Sequence, residues 1–283
     1  MVKPESTPLR RNVTAARVLA VRDQDGFERP DRLATEEPME IRAGGPGQEP
    51  VTIAVTMRTP GNDFELAVGF LYTEGLIHSR EELVSVAYCD LPSDQQQYNV
   101  VTVHLARRFD PETVKRNFYA TSSCGVCGKA SLEQVQLNCK PVAPGPIVTA
   151  LVIAGLPAAL KETQKIFEQT GGLHASGVFD SDGRLLSVRE DVGRHNAVDK
   201  LVGEALLGGD LPLSERILMV SGRVSFEIVQ KAAMAGVPMI CAVSAPSSLA
   251  VESARELGMT VVGFVRGPSF NVYTFPERVQ MGA

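Results

Sequence analysis

Three short apolar segments in the last third of the chain, at residues 217–220, 239–243 and 260–265, constrain the fold most strongly. The first two each run into a small polar loop and then into a segment with helical spacing. Apolar runs of this length, separated by helices, are typical of buried parallel strands joined by right-handed crossovers. The sequence therefore predicts α/β architecture for the C-terminal part.

The loops that follow these segments are rich in serine, glycine and arginine. In an open α/β sheet such loops meet at one edge, where helix N-termini direct backbone N–H groups outward and favour anions. This pattern predicts a phosphate or pyrophosphate site, although the serines could equally be helix N-caps and the glycines turn residues. The loop residues are Ser221, Gly222 and Arg223, then Ser244, Ser247 and Ser248, then Arg266, Gly267 and Ser269.

A hairpin and two helices are predicted just before this region. Residues 173–179 and 184–188 alternate around Asp182-Gly183, which indicates a hairpin, and helices are expected at about 156–169 and 196–207. The polar run 189–196 could bring two arginines, an imidazole and two carboxylates to one place. His195 could act there as a general base or as a donor to an anion. His174 is either a core histidine or a ligand-facing one.

The N-terminal part is strand-rich between Val13 and Leu105, with a turn predicted at Asp25-Gly26. One helix interrupts the strands, and Asn62 followed by Glu65 predicts a capping box at its start. We therefore expect a flexible tail over 1–15, a small α+β domain over 16–120 with a last helix near 111–119, and an α/β domain over 121–283.

Cys124 and Cys127 lie in a loop of small residues, and the flanking Gly125 and Gly128 allow a sulfur to approach another molecule closely. Sulfur transfer, dithiol redox chemistry and metal binding all use such a pair. Structural zinc normally requires four ligands, and the sequence has no second pair. Two chains could still share one ion.

The composition excludes several classes of protein. The 283-residue chain has a formal net charge of -5, so no overall basic field attracts nucleic acid. The first fifteen residues are polar and contain no apolar core of signal-peptide length, and the longest apolar stretch is too short to span a bilayer. Five cysteines without a disulfide pattern suit a reducing compartment, so we expect a soluble cytoplasmic protein.

Five motifs, occurring in the right order between about Val51 and Val279, resemble the formate dehydrogenase accessory sulfurtransferase family, FdhD. The run from Asp191 to Lys200 is the most specific of them. The motifs are Cys124-Gly125-Val126-Cys127-Gly128, Gly171-Gly172-Leu173-His174-Ala175, Glu190-Asp191-Val192-Gly193-Arg194-His195-Asn196-Ala197-Val198-Asp199-Lys200, Ser221-Gly222-Arg223 and Asn271-Val272-Tyr273-Thr274.

This resemblance implies a cytoplasmic homodimer that takes sulfur from a cysteine desulfurase as a persulfide on Cys124, with Cys127 as helper or alternate carrier. The sulfur is delivered to the molybdenum cofactor, bis-molybdopterin guanine dinucleotide, of the formate dehydrogenase catalytic subunit. The implied cofactor-binding residues are Phe264, Val265, Arg266, Gly267, Pro268 and Ser269, together with Ser221, Gly222, Arg223, His174 and His195.

The family resemblance also implies a three-layer C-terminal domain similar to cytidine deaminases. Deaminase chemistry is not expected, because His174-Ala175-Ser176 lacks the glutamate that such a zinc site needs and the cysteine pair lies upstream. No resident metal is expected. Two alternatives remain: a non-catalytic cofactor carrier, and a dimer bridged by a metal on structural cysteines.

Overall fold

The computed structural model describes residues 11–89, 98–110 and 139–282. The predicted helix at 111–119, the Cys124 loop and the predicted domain boundary lie outside these residues. In chain order the elements are β1 (Val13–Arg22), β2 (Asp25–Ala34), β3 (Glu37–Gly44), β4 (Val51–Arg58), α1 (Asp63–Thr73), β5 (Leu83–Tyr88), β6 (Val100–Leu105), β7 (Val148–Thr149), α2 (Ala150–Thr163), α3 (Lys165–Thr170), β8 (His174–Phe179), β9 (Leu185–Asp191), α4 (Arg194–Gly208), β10 (Ile217–Val220), α5 (Phe226–Met234), β11 (Met239–Ala242), α6 (Ser248–Glu256), β12 (Thr260–Arg266), β13 (Ser269–Val272) and β14 (Val279–Gln280).

β1 and β2 form a two-stranded antiparallel ribbon that is largely exposed. The turn predicted at Asp25-Gly26 is displaced by two residues. Asp23 and Gln24, with φ angles of 51° and 76°, make the turn, and Asp25 already pairs with Arg22 as the first residue of β2. Two consecutive residues with positive φ match the strand twist of a two-residue hairpin, and Asp is among the residues that tolerate this conformation.

The N-terminal sheet has the order β4-β3-β6-β5, and α1 packs on it. Leu66, Val68 and Leu71 of α1 are fully buried with strand residues such as Ile41 and Val101. The predicted helix is present, but the predicted capping box is not. Asn62 has a left-handed backbone and makes no side-chain cap, while Glu65 binds Arg189 instead.

The C-terminal sheet has the order β13-β12-β11-β10-β8-β9. Its central strands β10, β11 and β12 are parallel, and β8 and β9 form an antiparallel hairpin, as the sequence predicts. Alternate strand residues face opposite sides: Leu218 and Ile240 pack with α4, α5 and α6, whereas Met219 and Cys241 pack with α2. This gives helices on both sides of the sheet. The similarity to cytidine deaminases stays a prediction.

The helix predicted from residue 156 begins six residues earlier, at Ala150, and a break at Gln164 separates α2 from α3. Thr149 caps α2 because its hydroxyl accepts a hydrogen bond from Val152 N at 3.3 Å. Pro157 therefore lies inside the helix rather than at its start. Burial of the apolar face of α2 on the sheet outweighs the backbone hydrogen bond that proline removes.

The two sheets are connected by a close crossing of α1 and α4 at Gly69 and Gly203. A Cβ atom on Gly69 would lie 1.9 Å from the Asp199 carbonyl oxygen, and one on Gly203 would lie 1.9 Å from that of Glu65. Only glycine permits this approach. The division into domains 16–120 and 121–283 stays a prediction, and its two parts share this helix contact.

Candidate functional site

One edge of the C-terminal sheet collects most of the residues predicted from the loops. The parallel strands β10, β11 and β12 all end there. Because β8 runs antiparallel to β10 and β9 antiparallel to β8, this edge also holds the start of β8, at His174, and the end of β9, at Asp191. Helices α4, α5 and α6 begin from the same edge. His174, His195 and the Ser221 loop are therefore close in space.

The loops at this edge are tied together by backbone hydrogen bonds. Val224 N donates to Ala245 O at 3.2 Å, and Ser247 N donates to Val224 O at 2.9 Å. Phe264 N donates to Ser244 O at 3.1 Å, which joins the end of β12 to the loop after β11. The edge is thus a continuous hydrogen-bonded surface, which pre-organises it for a ligand.

The serines of the edge divide between the two roles that the sequence left open. The Ser247 hydroxyl accepts from Ala250 N at 3.3 Å and caps α6, so this serine is an N-cap. The Ser221 hydroxyl accepts from Ala175 N at 2.9 Å and thereby holds the loop after β10 against β8. As a donor, the Ser221 hydroxyl can still serve a ligand.

His174 is half-buried beside Gly222. A Cβ atom on Gly222 would lie 3.3 Å from His174 Nδ1 and 3.7 Å from Arg194 Cδ, so both side chains flank bare backbone. Burial lowers the pKa of His174, and the positive charge of Arg194 and of His195 lowers it further. A neutral imidazole is therefore favoured at this position near neutral pH.

His195, at the start of α4, is held by two residues of the α5 N-terminus. Its Nε2 atom lies 2.9 Å from Glu227 Oε2 and 3.1 Å from Ser225 Oγ. The hydrogen bond from His195 lowers the pKa of Glu227. Sequence reasoning missed Glu227, and its position in the first turn of α5 was the only available signal, because acidic residues there are common.

The polar run 189–196 does not converge on one place, which corrects the prediction made from its charge density. Arg189 pairs with Glu65 and Glu204, while Glu190 accepts hydrogen bonds from backbone N–H groups of α3. Asp191 is fully buried and lies 2.7 Å from Lys200 Nζ. Alternation along β9 places Glu190 on the opposite face from Arg189 and Asp191, and each of the three has its own partners, so only Arg194 and His195 remain at the site.

The predicted cofactor segment 264–269 forms the hairpin between β12 and β13, in which Gly267 has a φ of 58°. Phe264 is partly exposed with a φ of 55°, and the Arg266 guanidinium lies 5.7 Å from its ring centre. Arg266, Gly267, Pro268 and Ser269 are exposed. The Val265 side chain is fully buried in the core, so this residue can offer a ligand only its backbone.

The predicted sulfur carriers Cys124 and Cys127 lie outside the described residues. Three other cysteines are described, none of them in a disulfide. Burial raises the pKa of Cys139 to about 11 and also raises that of Cys241, so these thiols are protonated near neutral pH. Within the described ranges, no group of three or more His, Cys, Asp or Glu residues is arranged to hold a metal ion.

These features define an α/β protein with a hydrogen-bonded strand edge that carries two imidazoles, several hydroxyls and exposed guanidinium groups. The chain belongs to the FdhD/NarQ family, whose model matches residues 34–280. This confirms the family resemblance.

Relatives and a solved structure cover nearly the whole chain. A sulfur carrier protein FdhD of Streptomyces coelicolor is 52% identical over 274 residues, which cover 94% of this chain and 95% of the relative. One from Mycolicibacterium paratuberculosis is 53% identical over 257 residues, covering 89% and 93%. A crystal structure of a formate dehydrogenase accessory protein from Desulfotalea psychrophila has a TM-score of 0.73 and 25% identity, covering 95% of this chain and 100% of that one.

Among the helices that the structure describes, none combines the length and apolar character needed to cross a bilayer.

Proposed function

We propose that this protein is a sulfur carrier that loads a persulfide on Cys124 and passes the sulfur to bis-molybdopterin guanine dinucleotide held at the strand edge. The observation that carries the proposal is the 52% identity, over 94% of the chain, to a protein named sulfur carrier protein FdhD. A cysteine desulfurase is the proposed donor, and a formate dehydrogenase catalytic subunit is the proposed recipient. Action as a cytoplasmic homodimer is part of the same proposal.

The residues at the edge fit a guanine dinucleotide as cargo. Pyrophosphate groups require positive charge and N–H donors, which Arg223, Arg266 and the backbone around Gly222 supply. A planar base can stack on an aromatic ring, and Phe264 is partly exposed beside Arg266. Arg194 Nε, a buried donor that has no partner among the described residues, also lies in this region.

The proposed sulfur step balances without an added oxidant. The Cys124 thiolate attacks the terminal sulfur of the donor's persulfide, forming the Cys124 persulfide and releasing the donor's thiolate. An electron pair of the acceptor then attacks the terminal sulfur on Cys124, and Cys124 leaves as a thiolate. Cys139 and Cys241 are poorly suited to this chemistry, because burial raises the pKa of both thiols.

Intact-mass analysis after incubation with a cysteine desulfurase and cysteine tests the proposal. The wild-type protein is expected to gain one sulfur that a reductant removes, and Cys124→Ala is expected to gain none. Cys127→Ala tests the helper role and should load more slowly or less completely. Cys139→Ala is the matched control and should load like the wild type, because its thiol is protonated near neutral pH.

A second candidate is a non-catalytic cofactor carrier, which the same strand edge favours. Absence of added sulfur on the wild-type protein, beside an active desulfurase, would contradict the sulfur-carrier proposal and favour this candidate. Formate dehydrogenase activity in cells that contain Cys124→Ala separates the two further. A sulfur carrier loses client activation with this substitution, whereas a simple carrier retains it.

A further inference from the structure

Arg194, the first residue of α4, has a buried donor for which the described part of the chain supplies no acceptor. In the described part of the chain, its Nε atom is buried and has no hydrogen-bond partner. Leaving a charged donor unpaired is costly, so native structures nearly always satisfy such groups. An acceptor that arrives with a ligand would resolve this.

The surroundings of Arg194 suit an anion. Its Cδ would lie 3.7 Å from a Cβ on Gly222, so the side chain runs along bare backbone at the end of β10. The hydrogen bond from His195 lowers the pKa of Glu227 and the charge of Arg194 contributes, but this carboxylate is already bound to His195 at 2.9 Å. His174 Nδ1 would lie 3.3 Å from the same Cβ position, so an imidazole borders the same stretch of backbone.

We propose that Arg194, Gly222 and His174 form the phosphate subsite of the strand edge, with Arg194 Nε as a direct donor to a pyrophosphate oxygen. Gly222 allows the anion to reach the backbone between the two side chains. This inference rests on the proposed function, because it assigns one group of the cargo to one part of the edge.

Arg194 is a more suitable anchor for this role than Arg223 or Arg266. Both of the latter are exposed, and exposed guanidinium groups are solvated and screened by salt. Arg194 is half-buried in the first turn of α4, where its interaction with an anion is stronger than at an exposed position. The planar arrangement of the N–H donors of a guanidinium group also fixes the direction from which an anion can bind.

Isothermal titration of the full chain with inorganic pyrophosphate tests the subsite. Loss of a charge-assisted hydrogen bond predicts roughly 10- to 100-fold weaker binding for Arg194→Gln. Arg194→Lys keeps the charge but has no donor at the Nε position, so it should stay within about threefold of Arg194→Gln. Complete recovery by lysine would contradict direct donation by Nε.

Arg184→Gln is the matched control. It makes the same change in charge on the exposed turn between β8 and β9, at the opposite end of these strands. Pyrophosphate affinity should remain within about twofold of the wild type, as expected for a distant surface charge. An equal loss in Arg184→Gln and Arg194→Gln would show that only net charge matters, and would overturn the subsite.

Gly222→Ala provides a second variant that does not depend on Arg194. Its Cβ would lie 3.3 Å from His174 Nδ1, which narrows the subsite, and a roughly tenfold loss of pyrophosphate affinity is expected. Unchanged affinity in both Gly222→Ala and Arg194→Gln would overturn the inference.

Sulfur loading on Cys124 reports on the proposed function separately. If the wild-type protein loads sulfur and binds pyrophosphate, but Arg194→Gln binds pyrophosphate equally well, the subsite fails and the sulfur carrier stands. If the wild-type protein does not bind pyrophosphate at all, the subsite is overturned, whatever the result of sulfur loading.

Discussion

The buried ion pair between Asp191 and Lys200 should dominate the stability of the turn that begins α4. Both side chains are almost completely buried, and Lys200 Nζ lies 2.7 Å from Asp191 Oδ2. Asp191 also accepts hydrogen bonds from Thr59 N at 3.1 Å, Gly193 N at 2.8 Å and Asn196 Nδ2 at 2.9 Å. This carboxylate therefore joins the residue that follows β4 to the end of β9 and the first turn of α4.

Asp191→Asn keeps the shape of the side chain and removes its charge. The amide oxygen can replace one carboxylate oxygen, but the amide nitrogen then faces the donors Lys200 Nζ and Thr59 N. Removing one member of a buried pair leaves the other charge uncompensated, which costs about 3–5 kcal/mol. Equilibrium unfolding in urea should show this loss as a lower midpoint with an unchanged slope.

A double-mutant cycle with Lys200→Met separates the pair from its surroundings. The double variant should be more stable than the sum of the single losses predicts, by about 1–3 kcal/mol, because the unpaired charge is gone. Arg107→Gln is the control: Arg107 lies 2.6 Å from Glu82 but is 55% exposed, so its loss should be below about 1 kcal/mol. A loss in Asp191→Asn as small as in Arg107→Gln would refute this reasoning.

Three further results are expected. Gly203→Ala should lower the free energy of unfolding by about 1–3 kcal/mol or more, and with it the urea midpoint, because its Cβ would lie 1.9 Å from the Glu65 carbonyl oxygen. Wild-type stability of this variant would mean that α1 and α4 can move apart at no cost. By NMR, His174 should titrate below its ordinary pKa of 6.5, and Arg194→Gln should raise that pKa. As the pH falls, the unfolded chain protonates His174 before the folded protein does, because the folded pKa is the lower one. The contribution of His174 to the free energy of unfolding is therefore fully present above about pH 6.5 and is lost as the pH drops toward the folded pKa. Alkylation should be slow at Cys139 near neutral pH and accelerate toward its pKa of about 11, whereas rapid labelling at pH 7 would contradict burial of the thiol.

The elements with strong local patterns were predicted well. The apolar segments at 217–220, 239–243 and 260–265 are parallel strands, and the hairpin before them is correct. These assignments succeeded because burial on both faces leaves a continuous apolar run in the chain. Element boundaries were less accurate: the helix expected from about residue 156 begins at Ala150, and Thr149 provides its cap seven residues before Leu156.

The positions of the candidate site residues agree in part with the sequence analysis, while their roles stay a prediction. The Ser221 loop, His174 and His195 do meet at one edge, because strand direction alone brings these positions together. Glu227 was missed and the polar run 189–196 was misread, because the sequence does not say which partner each charge meets. Arg189 finds Glu65, more than a hundred residues away, only after α1 packs on α4.

The sequence alone determined the family, the α/β layout and the cysteine pair, since these depend on residue type, spacing and local periodicity. Only the tertiary structure decided which polar residues are structural and which face the edge. Asp191 and Lys200 are structural because they are buried against each other, while Arg194, at the edge, retains a donor that no described residue satisfies. Burial and pairing arise from contacts between distant segments, and no local pattern in the chain encodes them.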